Sequence, residues 1–274
     1  MAFKLFDYQS SGKGVSKSAP QKKPFFKYWE IFGRKFWKLI ELNMLYVLFC
    51  IPIITFGPAT AALTHVMRKF ILEQPCFVFY EFFTAFKKNF KQSVFIGIVD
   101  VIMIVSVWIA CFQFLMNESL PDGSLVFICI MICCATLVFI MHFYIYLEIV
   151  ALNLSIGSIL KNAVFLVFLG VKRNFIALII NLAIISLIVL FLPFSVFAVI
   201  FLPLSLMCFT TTFICYPVIQ KYIVNPYYEE RGERNPELGP ITEEDIAENA
   251  VFVDRGGSEK EIKATPKAHG KVIK

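Results

Sequence analysis

Five ionisable side chains sit inside or at the edge of long apolar runs: Glu41, His65, Asp100, His142 and Glu148. Such groups are costly in hydrocarbon, so each needs a reason to be there. Asp100 lies seven residues past Ser93, where an apolar run to Met116 begins. At about 1.5 Å per residue, that is roughly 10 Å along a helix. Counted back from Ala151 on the following run, His142 reaches a similar depth and Glu148 lies shallower. Glu41 and Asn43 come early in the first run, His65 lies in a shorter one, and Asn153 and Asn181 add amides. The expectation is that Asp100, His142, Glu148, His65 and Glu41 form one polar cluster in the cytoplasmic half of the bundle.

A carboxylate and an imidazole at matched depth can relay a proton or line a solute path. They can equally pair with each other and hold helices together. Glu41 and Glu148, near the interface, could also meet Arg68, Lys172 or Arg173. Both readings stay open at this point. No H-E-x-x-H, no G-x-S-x-G and no paired intramembrane aspartates are present, so the chain is expected not to be an enzyme.

The elements that carry these groups are set by hydropathy and charge. Of the 274 residues, 58% are hydrophobic and 17% charged. Soluble domains run at about 45–50% apolar and about 25% charged. The excess includes 31 phenylalanines. The net charge of +6 is not a nucleic-acid signal, because lysine and arginine cluster beside the apolar runs, as loops facing anionic lipid do. Lys87-Lys88-Asn89-Phe90-Lys91 leads into one run, and Asn117-Glu118-Ser119-Leu120-Pro121-Asp122-Gly123 leads out of it. The same polarity recurs along the chain, which marks a multi-pass membrane protein of one orientation.

The expectation is an all-α fold: a polytopic transmembrane helix bundle with four long spans plus a short returning helix after the first span. The stretches are about 36–55, 59–72 (short), 93–116, 125–151, 175–192 and 195–221. The helix turn falls at Gly57-Pro58. Residues 59–72 hold only about ten apolar residues before Arg68 and Lys69, where a full crossing takes about 20. Yet the basic segment that follows belongs on the same side as the basic N-terminus, so an uneven hairpin is expected. Phe79, Phe82, Phe83, Phe86 and Phe90 form one helical stripe. It suits a helix lying in the cytoplasmic interface or one packed beneath the bundle. Leu154–Val171 reads as a second interfacial helix. The last hairpin turns at Pro193, with Pro203 as a kink, or else at Pro203.

Residues 1–24 are expected to form a disordered basic tail and 225–274 a disordered cytoplasmic tail, with a membrane domain of 25–224 between. Within the C-terminal tail, Ala250–Val253 and Lys271–Lys274 are short β-prone islands that read as solvated or as strands added to a partner's sheet. Roughly forty residues precede the first apolar run, too many for a cleaved signal peptide, so the first span is read as a retained anchor. The eight cysteines lie almost all within apolar runs and read as small hydrophobes. No metal or cofactor is expected.

Asn43-Met44-Leu45-Tyr46-Val47-Leu48-Phe49-Cys50-Ile51-Pro52-Ile53-Ile54-Thr55-Phe56-Gly57-Pro58-Ala59-Thr60-Ala61-Ala62 resembles the signature of the YesL family of small bacterial membrane proteins. Phe82–Gln92 and Leu160-Lys161-Asn162-Ala163 are similar to its further markers. The likeness covers about residues 25–225. It makes Thr55, Gly57, Pro58, Ala59, Thr60, Ala61 and Ala62 a structural turn motif. The resemblance implies no known activity. It implies a bacterial plasma-membrane location and an accessory role in carbohydrate uptake. The lipid bilayer is one partner, and an ABC sugar-transporter permease or a sensor kinase is a candidate for another. It carries over no catalytic residue. Positive-inside charge places both termini in the cytoplasm.

Overall fold

The computed structural model describes residues 23–116, 124–152, 154–233, 235 and 237. Residues 1–22, the 117–123 connection, Asn153 and most of the expected C-terminal tail fall outside these, as do both β-prone islands. The first part of that tail, expected to be disordered, is instead helical over Asn225–Glu230, continuing from the preceding helix. Among the described residues there is no strand. The helices are α1 (Pro24–Cys50), α2 (Phe56–Ile71), α3 (Val78–Met116), α4 (Ser124–Ala151), α5 (Ile156–Leu169), α6 (Val171–Leu190), α7 (Ser195–Phe201), α8 (Pro203–Ile219) and α9 (Asn225–Glu230).

Four helical segments are long and apolar enough to cross a membrane: Val78–Ala110, Val126–Ala151, Val171–Leu190 and Pro203–Glu230. The first helix is not among them. Its first two-thirds carry Lys27, Glu30, Arg34, Lys35, Lys38 and Glu41, and it stops at Cys50. Pro52 and a short 3₁₀ turn, Ile53–Thr55, then redirect the chain. The stretch 36–55 is therefore a helix end plus a turn rather than one continuous span.

The short helix α2 is the centre of the bundle. It packs against α1, α3, α4 and α8. Gly57 to Thr64 are all buried, as are Val66, Met67, Phe70 and Ile71. Its 16 residues reach about 24 Å, less than the roughly 30 Å of hydrocarbon. A helix wrapped by other helices meets little lipid, so it needs no full-length apolar surface. Small residues let four neighbours approach it at once.

Two expectations about helix boundaries change. The Phe79–Phe90 stripe is not a separate helix: α3 runs unbroken through Lys87, Lys88 and Lys91 for 39 residues. Part of the stripe packs inward. Phe82 is fully buried, and Phe49 of α1 meets Phe82, Phe83 and Phe86 at centroid distances of 5.2–5.6 Å. The stretch 195–221 is not one span either. It is α7 and α8, separated at Leu202, with Pro203 opening α8. The turn before it, at Phe191–Phe194, contains Pro193.

The chain divides into two compact units, Met1–Tyr227 and Tyr228–Lys274. In the second, Gly232 at φ 62° closes the end of α9, where the Glu233 N–H donates to Tyr228 O at 2.9 Å.

Candidate functional site: polar clusters and helix breaks within the bundle

Asp100 faces inward from α3 and is 8% exposed. His142 Nδ1 on α4 lies 3.2 Å from its Oδ2. The Tyr146 hydroxyl donates to the same oxygen at 2.8 Å, and the His142 and Tyr146 rings lie 4.6 Å apart. Tyr146 was missed in the sequence. The available signal was its position four residues after His142, on the same helix face.

His142 and Tyr146 also line a cavity of about 140 Å³ between α2, α4, α6 and α8. Tyr46, Thr60, Thr64, Asn181, Thr211 and Thr212 add further polar groups to its walls. Asn181 on α6 donates to Thr211 Oγ1 on α8 at 2.9 Å, and Tyr46 and Thr60 share a hydrogen bond of 3.2 Å. The site is thus a carboxylate, an imidazole and a phenol beside a small, mostly apolar chamber with hydroxyls and one amide in its walls. Such a chamber can hold water or a small neutral polar molecule.

The other candidate residues lie elsewhere. Glu148 is fully buried, but it meets Asn162 of α5, whose Nδ2 lies 3.3 Å from Oε2. Its Oε1 has no hydrogen-bond partner among the described residues. His65 faces the start of α3, with Nε2 3.2 Å from Glu81 Oε2, and Lys69 holds the other Glu81 oxygen at 2.6 Å. Neither contact involves Asp100. Glu81 was not singled out in the sequence, because its helix was assigned to the interface. Glu41 is half-buried and joins none of these clusters.

The motif Thr55–Ala62 is packed throughout its helical part. Thr55 Oγ1 donates to Phe49 O at 2.6 Å and to Pro52 O at 2.7 Å, which ties the end of α1 to the turn. Gly57 is needed for closeness, not for a left-handed backbone: it is helical and is not a positive-φ residue. A Cβ added at Gly57 would collide with Ser93 O of α3, and one at Gly97 would lie 2.5 Å from Gly57 Cα. Gly57 on α2 thus meets both Ser93 and Gly97 of a Ser93-x-x-x-Gly97 pair on α3, the small-residue pattern that brings membrane helices into backbone contact.

Buried asparagines close the helix breaks. Asn43 donates to both Val199 O and Ile200 O at 2.8 Å and accepts from the Ser205 N–H at 2.7 Å. Asn174 accepts from the Tyr144 hydroxyl and donates to Val167 O at 2.9 Å, spanning the α5–α6 junction. Gln92 of α3 donates to Leu154 O at 2.8 Å, beyond the end of α4. Backbone groups freed where a helix stops have few water partners at membrane depth, and these amides replace water.

At the α2–α3 turn, Glu73 takes φ 55°. Its N–H donates to Phe70 O at 3.2 Å, and the Gln74 N–H donates to Lys69 O at 3.0 Å, a Schellman closure. Arg34 of α1 donates to the Glu73 carboxylate at 2.6 Å. That hydrogen bond, together with the carboxylate charge, raises the Arg34 guanidinium pKa above its usual value.

Residues 39–111, from the second half of α1 through α2 and most of α3, match a family described as "Protein of unknown function, DUF624". That stretch contains both halves of the Gly57–Gly97 contact, and Asp100 as well. No curated protein matches the chain, and no solved structure does.

Proposed function

We propose that the chain is a non-enzymatic partner protein of the bacterial plasma membrane, with both termini cytoplasmic, that works beside a carbohydrate-uptake assembly such as an ABC permease and its regulators. The resemblance of Asn43–Ala62 to the YesL signature supplies the sugar-uptake setting. The observation that carries the partner reading is the outer half of the α3–α4 hairpin. On α4 the fully buried residues run only from Phe143 to Ile149. Beyond them the hairpin exposes Ile102, Trp108 and Phe112 on α3 and Phe127, Ile130 and Leu137 on α4. Cys129 and Cys133, four residues apart and exposed, leave shallow ground between the larger side chains, which favours close packing by another membrane helix.

Crosslinking tests this directly. Chain carrying a photoreactive residue at position 130 should capture a permease subunit in cells grown on the relevant sugar. The same residue at exposed Phe165, on α5, should capture less. Capture of lipid alone at both positions would end the partner reading.

A second reading is favoured by the cavity beside His142 and Tyr146. It makes the chain a carrier for a small solute or for protons. Flux of a small polyol or of protons through purified protein in liposomes, lost in Asp100→Asn, would support it over the first.

A further inference from the structure

We infer that a basic pocket at the junction of α5, α6 and α8 binds the phosphate headgroup of an anionic phospholipid. The pocket measures about 400 Å³ and is lined by Gly170, Lys172, Arg173, Pro217, Lys221 and Tyr222. Three cations point at one concavity. Lys172, Arg173 and Lys221 are all exposed, and none has a carboxylate partner among the described residues.

Two breaks in helical geometry build the pocket. Gly170 ends α5, its N–H donating to Leu166 O at 2.8 Å, and α6 starts at the next residue. Lys172 and Arg173 therefore sit on the first turn of α6, where backbone N–H groups are also free. On the other wall, Pro217 lies inside α8, and a π turn, Gln220–Val224, follows it. That turn carries Lys221 and Tyr222, whose ring lies 5.3 Å from Lys221 Nζ.

The surroundings decide between a lipid and a soluble anion. Beside the cations stand exposed apolar side chains: Phe168 at 68%, Phe175 at 61% and Val171 at 58%. Free phosphate would neutralise the cations and leave these uncovered. A phospholipid puts its phosphate on the cations and its acyl chains on the phenylalanines, which matches basic pockets between membrane helices. The three uncompensated charges favour a lipid with net negative charge over a zwitterionic one.

Native mass spectrometry of the full chain in detergent tests the assignment, with phosphatidylglycerol and phosphatidylcholine as probes. Wild-type chain should retain phosphatidylglycerol in preference to phosphatidylcholine. K172Q/R173Q/K221Q should bind it roughly a hundredfold more weakly, and the single variants K172Q and K221Q roughly fivefold each. The single variants keep the test decisive should the triple one fail to fold. K87Q/K88Q/K91Q, equally depleted in charge but away from the pocket, should bind as wild type does. Equal retention by wild-type chain and the K172Q and K221Q variants would overturn the proposal. So would an equal loss in K87Q/K88Q/K91Q, which would mean diffuse attraction. Displacement of the lipid by inorganic phosphate at equal concentration would assign the pocket to a soluble anion instead.

Discussion

The Asn43 carboxamide oxygen accepts the backbone N–H of Ser205 at 2.7 Å, across 162 residues of sequence. The same side chain donates to Val199 O and Ile200 O. One amide on α1 therefore serves both sides of the α7–α8 break, the carbonyl end of one helix and the amide end of the next. Asn43 is fully buried, and Leu202 sits at φ −143° between the two helices. Without this bridge the break would leave three backbone groups unpaired in an apolar setting.

Replacing Asn43 with Leu should therefore destabilise the folded protein by about 2–4 kcal/mol, given about 1–3 kcal/mol for a buried group left unsatisfied and smaller values within membranes. Asn43→Asp keeps the acceptor for Ser205 and loses both donors, so it should also be destabilised. Thermal unfolding in detergent measures both. A wild-type melt for Asn43→Leu would show that the break is held by other means.

The Gly57–Gly97 crossing should tolerate no methyl group. Gly57→Ala and Gly97→Ala each force two backbones apart, and overpacking of this kind costs about 1–3 kcal/mol or more. Gly33 is the control, since a Cβ there meets nothing within 4 Å. Gly33→Ala should stabilise α1 by up to about 1 kcal/mol. Size-exclusion profiles and melting temperatures of the three variants should separate them in that order.

Asp100, His142 and Tyr146 should behave as one unit. Asp100→Asn and His142→Gln should each lower stability, and the double variant should show a coupling of about 0.5–2 kcal/mol. Tyr146→Phe should couple to Asp100→Asn in the same way, because both partners use Oδ2. Strictly additive effects would mean that the contacts carry no energy.

Glu73 balances strain against an ion pair. A left-handed backbone costs a non-glycine residue roughly 1–2 kcal/mol, while an exposed pair such as Arg34–Glu73 returns about 0.2–1 kcal/mol. Glu73→Gly should equal or exceed wild type in melting temperature. Glu73→Ala keeps the strain and loses the pair, so it should fall below both. Added salt should narrow the gap between wild type and Glu73→Ala. Glu73→Gly melting below Glu73→Ala would refute the strain.

Orientation is open to cysteine labelling in a cysteine-depleted chain. An impermeant reagent on intact cells should label Ser119→Cys and leave Ser10→Cys and Ser258→Cys untouched. The opposite pattern would invert the protein in the membrane.

Hydropathy and the charges at the ends of each apolar run were enough to determine an all-helical, multi-span chain, because both signals are local and additive along the sequence. The small residues of Gly57–Ala62 were legible for the same reason, since a run of Gly, Pro and Ala suits a tight turn and close approach in any membrane helix. Several features were not local and could be decided only by the tertiary structure. That α2, read only as the short arm of a hairpin, is the centre of the bundle follows from four helices closing around it. Whether the Phe79–Phe90 stripe lies in the interface or packs beneath the bundle cannot be told from periodicity, which is the same in both cases; the packing of Phe82, Phe83 and Phe86 on Phe49 decides it for that part of the stripe. Glu148, shallower than Asp100 on the neighbouring run, faces Asn162 instead, because position along a helix fixes only one of the two coordinates on its surface. Asn43 was visible as an amide in an apolar run, but its role depends on a helix break more than 150 residues later. A hydrogen-bond partner at that distance is chosen by folding, and no spacing rule in the sequence encodes it.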